Sequence, residues 1–151
     1  MPEPRELVVR PVGEDERAAW DPLWDGYLTF YKTVLPHNVS DVTWQRLHDP
    51  AEPIFILGAY ADDKLTGFAH YLFHRSTWAP NWYCYLEDLF VADGARGLGA
   101  GRVLIEAVCE KARLAGANRV YWLTHETNAQ ARLLYDKVAD NLGFIQYRRM
   151  I

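Results

Sequence analysis

The sequence lacks several features that define large classes of protein. It contains only two cysteines among 151 residues, and Cys84 and Cys109 do not form the CxxC spacing of redox and zinc motifs. We expect both to pack as small buried apolar side chains. No apolar run is long enough to cross a bilayer, and Met1–Arg5 lacks the apolar core of a signal peptide. These absences predict a cytoplasmic protein without a membrane partner.

A basic cluster is also missing. The 16 Lys and Arg residues are spread along the chain, and with 20 Asp and Glu residues the net charge is −4. Proteins that bind nucleic acid directly carry a basic patch, so we expect no nucleic-acid partner. His70 and His74 are four residues apart but do not lie on a predicted helix. They therefore do not form a helical metal pair, and we expect no metal site.

The residues that are present suffice for a single domain over residues 1–151, because half of them are hydrophobic and 14% are aromatic. The hydrophobic periodicity predicts the element order βααβββαβαβ, with no internal repeat. The strands are predicted at Leu7–Arg10, Ile54–Tyr60, Leu65–Phe73, Tyr85–Val91, Arg119–Thr124 and Ile145–Met150, with a loop at His74–Asn81. The helices are predicted after Glu14, at Ser40–Leu47 with Ser40 as its cap, from Arg102 to Gly116, and from Asn128.

An aromatic stripe marks the first predicted helix. Trp20, Trp24, Tyr27 and Tyr31 follow one another at spacings of four, three and four residues, which places them on one helical face. We expect the two tryptophans to pack in the core and the two tyrosines, with their polar tips, to border a substrate cleft. Pro22 interrupts the stripe and predicts a kink or the start of a second helical piece.

The most informative segment runs from Tyr85 to Gly101, where an apolar strand leads through a glycine-rich turn into a helix. Glycines allow backbone N–H groups to approach an anion closely at the positive end of a helix dipole. Arg96 adds a charged donor. The turn lacks the Lys and hydroxyl residue of a Walker loop, and its Gly-x-Gly-x-Gly spacing departs from the dinucleotide fingerprint. The alternative to a phosphate site is that the glycines serve only to form the turn between the strand and the helix.

The pattern Arg-x-x-Gly-x-Gly after a strand that ends in Val resembles the GNAT superfamily of acetyl-CoA-dependent N-acyltransferases. A second stretch, Asn128–Tyr135 after a strand and ahead of Gly143-Phe144, is similar to the second signature of that superfamily. The resemblance covers nearly the whole chain. Within the superfamily, the sequence looks like the branch whose members acetylate polyamines, D-amino acids or, in fungi, histones.

The resemblance implies an α/β GNAT (acyl-CoA N-acyltransferase) fold, with a mixed central sheet flanked by helices and acetyl-CoA as co-substrate. It also implies a homodimer in which the C-terminal strand takes part. The residues expected to bind the coenzyme are Leu89, Phe90, Val91, Arg96, Gly97, Leu98, Gly99, Ala100, Gly101, Arg102, Asn128 and Ala131.

Two residues are implied to be catalytic. Tyr135 is the expected general acid that protonates the coenzyme thiolate, and Glu87 is the expected base that takes the amine proton, directly or through water. Asp88 points to the opposite face of the strand unless a bulge intervenes. The alternatives are that Tyr135 packs between helix and sheet and that the two acids are structural.

The expected substrate-binding residues are Tyr27, Tyr31, Glu87, Asp88 and Glu126, although Glu126 is equally compatible with a solvated surface acid. The function implied is transfer of acetyl from acetyl-CoA to a small-molecule primary amine, such as a cationic amine, a polyamine or an amino acid. Transfer proceeds by direct attack in a ternary complex. The alternatives are a protein or histone lysine acetyltransferase and a catalytically silent acyl-CoA sensor.

Overall fold

One five-stranded sheet organises the chain. The computed structural model describes residues 6–151, apart from the side chain of His37. The elements are β1 (Leu7–Pro11), α1 (Arg17–Phe30), α2 (His37–Leu47), β2 (Ile54–Ala61), β3 (Lys64–Ser76), β4 (Ala79–Val91), α3 (Ala100–Leu114), β5 (Ala117–Tyr121) and α4 (Ala129–Val138). The strands lie in the order β1-β2-β3-β4-β5. Strands β1 to β4 are antiparallel, and β5 is parallel to β4.

The two faces of the sheet carry separate cores. On one face, α3 buries Leu104, Ile105 and Val108 against the strands. On the other face, α1 and α2 bury an aromatic cluster that contains Trp20, Trp24, Trp44 and Phe68. The predicted role of the two α1 tryptophans in the core is therefore confirmed. Because the sheet is covered on both sides, its functional groups can lie only at strand ends, edges or irregularities.

The hairpin of β3 and β4 is longer than the sequence predicts. The predicted loop His74–Asn81 is wrong, because His74 pairs with Tyr83 and Arg75 with Trp82 in the antiparallel ladder. The Arg75 guanidinium lies 3.6 Å from the centre of the Trp82 ring, a cation–π contact that stabilises the extended pair. The residues at this end of the hairpin are polar, and for this reason the sequence pattern predicted a loop in place of the strand.

Two predictions for the N-terminal helices are wrong, namely a second helical piece that starts at Pro22 and Ser40 as a helix cap. Helix α1 runs continuously through Pro22 from Arg17 to Phe30, and it does not divide into two pieces. Helix α2 begins one turn earlier than predicted, with Pro36 at its N-cap. Ser40 is therefore inside the helix, where its hydroxyl accepts a hydrogen bond of 3.0 Å from the Trp24 indole. This bond ties α2 to α1.

The predicted C-terminal strand Ile145–Met150 is wrong for the single chain. After α4, residues 139–151 are irregular and exposed throughout. Phe144 is 80% and Tyr147 89% exposed. A strand needs a neighbour to satisfy its backbone groups, and none of the described residues supplies one here.

The remaining predictions concern cysteines and membranes. Cys84 is buried in β4 and Cys109 is half-buried in α3, and both are free thiols. Burial raises the pKa of the Cys84 thiol to about 12, so it behaves as the predicted apolar side chain. Among residues 6–151, no helix combines the length and apolarity needed to cross a bilayer. The prediction drawn from Met1–Arg5 lies outside the described residues.

We predict that Gly67→Ala destabilises the fold by about 1–3 kcal/mol. A Cβ added at Gly67 would lie 2.8 Å from the backbone oxygen of Phe90 in β4, and a backbone atom in a paired strand cannot yield cheaply. Urea unfolding measures the change. Gly94→Ala is the control because nothing lies within 4 Å of its added Cβ. Equal stability of the two variants would contradict the close approach of β3 and β4.

Candidate active site

A β-bulge in β4 governs the arrangement of two adjacent carboxylates. In the ladder with β3, His70 lies opposite Asp88 and Tyr71 lies opposite Leu86. Glu87 is the extra residue between these two pairs. A bulge of this kind shifts the alternation of side chains by one position. The condition under which Glu87 and Asp88 share a face is therefore met.

The packing on either side of the bulge shows where the carboxylates point. Leu86 is buried in the cluster beneath α3, so its neighbour Glu87 projects from the opposite face. Phe90 packs against the aromatic cluster of α1 and α2, and Asp88 shares the face of Phe90 by strand alternation. Both acids thus project on the α1 side of the sheet.

The environment of Glu87 suits a proton acceptor. Its side chain reaches solvent, but its carboxyl is partly enclosed, and this desolvation raises its pKa. The negative charge of Asp88 raises the pKa further. A carboxylate with a raised pKa holds a proton more readily near neutral pH, as a general base requires.

Asp88 is hydrogen-bonded to β3 and lies close to α1. Its Oδ2 atom lies 2.9 Å from Nδ1 of the buried His70 in β3, and its charge acts on the nearby Tyr27 hydroxyl of α1. Burial and the Asp88 charge raise the pKa of Tyr27, so the phenol stays protonated. The ring of Tyr27 stacks on Trp24 at 5.2 Å, which fixes its position.

Tyr31 and Tyr135 form a second group of side chains near these acids. Tyr31 directly follows α1, and its ring centre lies 4.9 Å from that of Tyr27. Its pKa is raised by burial and by the charge of Asp88. Burial, followed by the influence of Tyr31, raises the pKa of Tyr135 to about 12. Trp122 packs edge-on against Tyr135 at 5.5 Å. The phenol of Tyr135 is thus a protonated donor at neutral pH.

The sheet opens between β4 and β5 at the same level. The two strands pair from Trp82–Ala117 to Tyr85–Tyr121, and β5 then ends while β4 continues to Val91. Within the described chain, β5 offers no partner to β4 beyond Tyr85. The exposed edge of β4 from Leu86 onward can therefore accept an extended ligand as a substitute strand.

The glycine-rich turn lies at the end of this open edge. Gly97 and Gly99 adopt left-handed backbone conformations, with φ of 88° and 80°, and among residues 6–151 no heavy atom beyond the chain neighbours lies within 4 Å of a Cβ added at either. In α3, the first backbone N–H that donates a hydrogen bond is that of Val103, which bonds to the Gly99 oxygen. The preceding N–H groups at this helix end therefore remain free for an anion.

Comparison with known proteins identifies the architecture. The family model described as "Acetyltransferase (GNAT) family" matches residues 20–139. The chain belongs to the GNAT family. Among curated proteins it is 40% identical over 147 residues to the D-amino-acid N-acetyltransferase HPA3 of Saccharomyces cerevisiae, an alignment that covers 95% of this chain and 90% of the yeast protein. It is also 31% identical over 80 residues to the thialysine N-epsilon-acetyltransferase of Caenorhabditis elegans, covering 53% and 49% of the two chains.

Solved structures confirm the predicted GNAT fold. AAC(6')-Iy in complex with the bisubstrate analog CoA-S-monomethyl-acetylneamine superposes with a TM-score of 0.83 at 17% identity, and covers 97% of this chain and 99% of its own. The ribosomal-protein-alanine N-acetyltransferase of Brucella melitensis gives a TM-score of 0.78 at 18% identity, covering 97% and 100%. The chain is thus a GNAT acetyltransferase, and enzymes of this family use acetyl-CoA.

The second GNAT signature lies at the start of α4. Asn128 precedes the helix, but its side-chain amide donates to the Thr124 hydroxyl at 3.1 Å and does not cap the helix. Ala131 is half-buried in the first turns of α4. Glu126 is exposed in the preceding turn, and its backbone oxygen accepts a hydrogen bond from Arg132. No described contact joins the Glu126 carboxylate to the acids of β4.

One member of the site was missed by the sequence analysis. His70 was considered only as a partner of His74, whereas in the structure it bonds to Asp88. The signal was present in Phe68-Ala69-His70-Tyr71, because a polar ring in an apolar strand needs a buried partner. The identity of that partner depended on the register across the bulge, which local sequence does not specify.

We predict that Asp88→Asn lowers the pKa of Glu87. The asparagine oxygen can still accept the hydrogen bond from His70, but the negative charge that raises the Glu87 pKa is lost. Titration of the carboxyl carbons by NMR measures the shift. Asp93→Asn is the control, because Asp93 lies in the glycine-rich turn with its side chain 89% exposed. An unchanged Glu87 pKa in Asp88→Asn would mean that desolvation alone sets its value.

Proposed function

We propose that this GNAT enzyme transfers the acetyl group of acetyl-CoA to the primary amine of an amino acid or a related small cationic amine. The amine attacks directly in a ternary complex. The observation that carries the proposal is the bulge in β4, which turns Glu87 and Asp88 to one face. An amine arrives as a cation and must lose a proton before it can attack, and two adjacent carboxylates serve both needs.

The coenzyme side is supported by the open edge of β4 and the turn that follows it. The backbone of Leu89, Phe90 and Val91 is suited to hydrogen-bond the pantetheine arm along the strand. The turn from Arg96 to Arg102 is suited to hold the pyrophosphate, because its free N–H groups and its guanidinium groups attract phosphate oxygens. The left-handed glycines and the open space beside them fit such a ligand.

On the acceptor side, we assign Glu87 as the base and Asp88, Tyr27 and Tyr31 as residues that bind the amine. The cationic amine is attracted to Asp88, and the ammonium proton passes to Glu87, directly or through water. The neutral nitrogen then attacks the thioester carbonyl carbon. The raised pKa of Glu87 favours this transfer, because a base works best when its pKa lies near the operating pH.

On the leaving-group side, we assign Tyr135 as the general acid. As the C–S bond of the thioester breaks, the sulfur gains a negative charge and needs a proton. The Tyr135 phenol, with its pKa raised to about 12, keeps that proton at neutral pH and is available to donate it. Asn128 and Ala131, at the start of the same helix, are assigned to the coenzyme.

The relatives support an amino-acid acceptor. The Saccharomyces cerevisiae relative at 40% identity is a D-amino-acid N-acetyltransferase, and the Caenorhabditis elegans relative acts on thialysine. An L-ornithine N5-acetyltransferase of Arabidopsis thaliana is 26% identical over 92 residues. All three acceptors named are amino acids. We therefore propose a D-amino acid as the first acceptor to test.

A panel of acceptors tests the proposal. Release of free CoA thiol from acetyl-CoA is followed with D- and L-amino acids, a polyamine and a lysine-containing peptide. Turnover of D-amino acids supports the proposal. Turnover of the peptide alone would indicate a protein lysine acetyltransferase. Binding of acetyl-CoA without turnover of any acceptor would indicate a silent sensor.

We predict that Tyr135→Phe lowers kcat by roughly 10²–10⁴-fold while acetyl-CoA affinity changes little. The variant keeps the ring that packs against Trp122 and removes only the donor. Tyr71→Phe is a matched control, because burial also raises the pKa of Tyr71 to about 12, but its side chain lies in the core beneath α3. A Tyr135→Phe enzyme that keeps more than about half of the wild-type kcat, with acetyl transfer rate-limiting, would assign Tyr135 to packing.

We also propose that the enzyme is a homodimer built by its C-terminal segment. The segment Gly143–Ile151 exposes Phe144, Ile145 and Tyr147. Among the described strands, β5 pairs with β4 alone. A groove of about 330 Å³ lies beside β5. Its lining combines apolar side chains, which include Val120, Trp122 and Val138, with polar ones, which include Arg113, Asn118 and Arg119. A segment rich in exposed apolar side chains and an open strand edge are complementary, and exchange between two copies satisfies both.

The oligomeric state tests this part of the proposal. Proline at both Ile145 and Tyr147 removes two backbone donors from the segment, so the doubly substituted enzyme should be a monomer while the wild type is a dimer. Light scattering after size exclusion measures the mass. Arg148→Ala, in the same segment, keeps its backbone donors and should remain a dimer. A monomeric wild-type protein would show that the segment does not exchange.

A further inference from the structure

His70 is a titratable side chain that the proposed chemistry does not use. It is completely buried, with 0% of its surface exposed. Aromatic rings surround it, with the Phe68 ring centre at 4.5 Å, that of Trp24 at 5.3 Å and that of Trp20 at 6.0 Å. A polar ring in such surroundings is costly unless both of its nitrogens are hydrogen-bonded.

Both nitrogens have partners, and these partners define the tautomer. The indole nitrogen of Trp20 lies 3.2 Å from Nε2 of His70. An indole N–H can only donate, so Nε2 must accept and carries no proton. The ring proton is therefore on Nδ1, which donates to Oδ2 of Asp88 over 2.9 Å. Trp20 therefore donates to His70, and His70 donates to Asp88.

This arrangement fixes the carboxylate without competing for its charge. Asp88 receives a hydrogen bond from the imidazole of His70 in β3, and the phenol of Tyr27 in α1 lies close to it. Both groups are neutral. A cationic partner such as arginine would offset the charge of Asp88, whereas a neutral donor orients it and leaves it available to a positively charged ligand.

We propose that His70 is a positioning residue for the acceptor amine, which acts by holding Asp88 in the orientation that meets the cation beside Glu87. Trp20 contributes by holding His70 in the tautomer that donates to Asp88. The inference rests on the proposed function, because it assigns Asp88 to the binding of a cationic amine. It predicts that disturbing a buried ring in the aromatic core alters recognition of the amine more than binding of the coenzyme.

A pair of isosteric substitutions separates positioning from packing. In His70→Asn the amide nitrogen lies near the place of Nδ1, so the donor to Asp88 is kept and the contact with Trp20 is lost. In His70→Gln the amide group reaches the place of Nε2, so the contact with Trp20 is kept and the donor to Asp88 is lost. Asn also leaves the larger void in the core, so packing and positioning predict opposite orders of severity.

We expect His70→Gln to raise the KM for the amine about tenfold, since a hydrogen bond to a charged group is lost. We expect the KM for acetyl-CoA to stay within about twofold. His70→Asn should keep an amine KM close to that of the wild type, although thermal unfolding shows it to be the less stable variant. Equal amine KM values in the two variants, or a larger rise in His70→Asn, would overturn the inference.

Binding and spectroscopy test the same point without turnover. Calorimetry measures the affinity for D-lysine, a probe that combines the amino-acid stereochemistry and the cationic side chain of the acceptors named for the relatives. The affinity should fall about tenfold in His70→Gln and stay near wild type in His70→Asn. In the Asp88→Asn variant, adding His70→Gln should lower the D-lysine affinity by less than a further twofold, because the carboxylate is already absent. An additive loss of affinity in the double variant would overturn the inference.

The tautomer supplies a third readout. Long-range ¹H–¹⁵N spectra of the wild type should show His70 protonated at Nδ1 alone, and protonation at Nε2 would overturn the inference directly. Failure of the proposed function is distinguishable from failure of the inference. The first is a wild type that turns over no acceptor in the panel. The second is an unexpected tautomer or a D-lysine affinity that responds equally to the two substitutions.

Discussion

The irregular pairing of β3 with β4 at Glu87 is the constraint on which the candidate site depends. A regular strand would send two consecutive acids to opposite faces, and one of them would enter the apolar core beneath α3. The additional residue avoids that cost and places both acids on the α1 side. It also allows Asp88 to meet the His70 imidazole of β3, to which it is hydrogen-bonded, and the nearby Tyr27 phenol of α1.

The core and the site share their aromatic side chains. Trp20, Trp24 and Phe68 fill the space between α1 and the sheet, and the same rings enclose His70. Close packing leaves these rings few alternative positions. The geometry of the carboxylates is therefore set by the same core that stabilises the fold.

Much of the fold could be predicted from the sequence, and the exceptions have physical causes. The glycine-rich turn and the aromatic stripe are local patterns, and both predicted their elements well. The strand at His74–Asn81 was missed because cross-strand pairs such as Arg75 with Trp82 stabilise it, and these contacts are not local. Likewise, the sequence predicts Ser40 as a helix cap, but its hydroxyl accepts a hydrogen bond from the Trp24 indole of another helix.

The candidate site could be proposed by residue type and less so by arrangement. The resemblance implies roles for Glu87, Asp88 and Tyr135, but the bulge that brings the two acids together depends on the register with β3. His70 could not be assigned from sequence, because its role follows from one partner in α1 and another in β4. Long-range register is the information that a single sequence lacks.

The departure of the C-terminal segment from α4 has a geometric consequence. The chain turns at Gly143, where φ is 82° and the backbone N–H bonds to the Asn141 side chain. Gly143 is five residues beyond Val138, so this turn lies no more than about 18 Å from the helix end. In the proposed dimer, two chains that exchange this segment about a twofold axis form a closed pair, whereas a head-to-tail exchange would join each chain to a new neighbour and produce a filament.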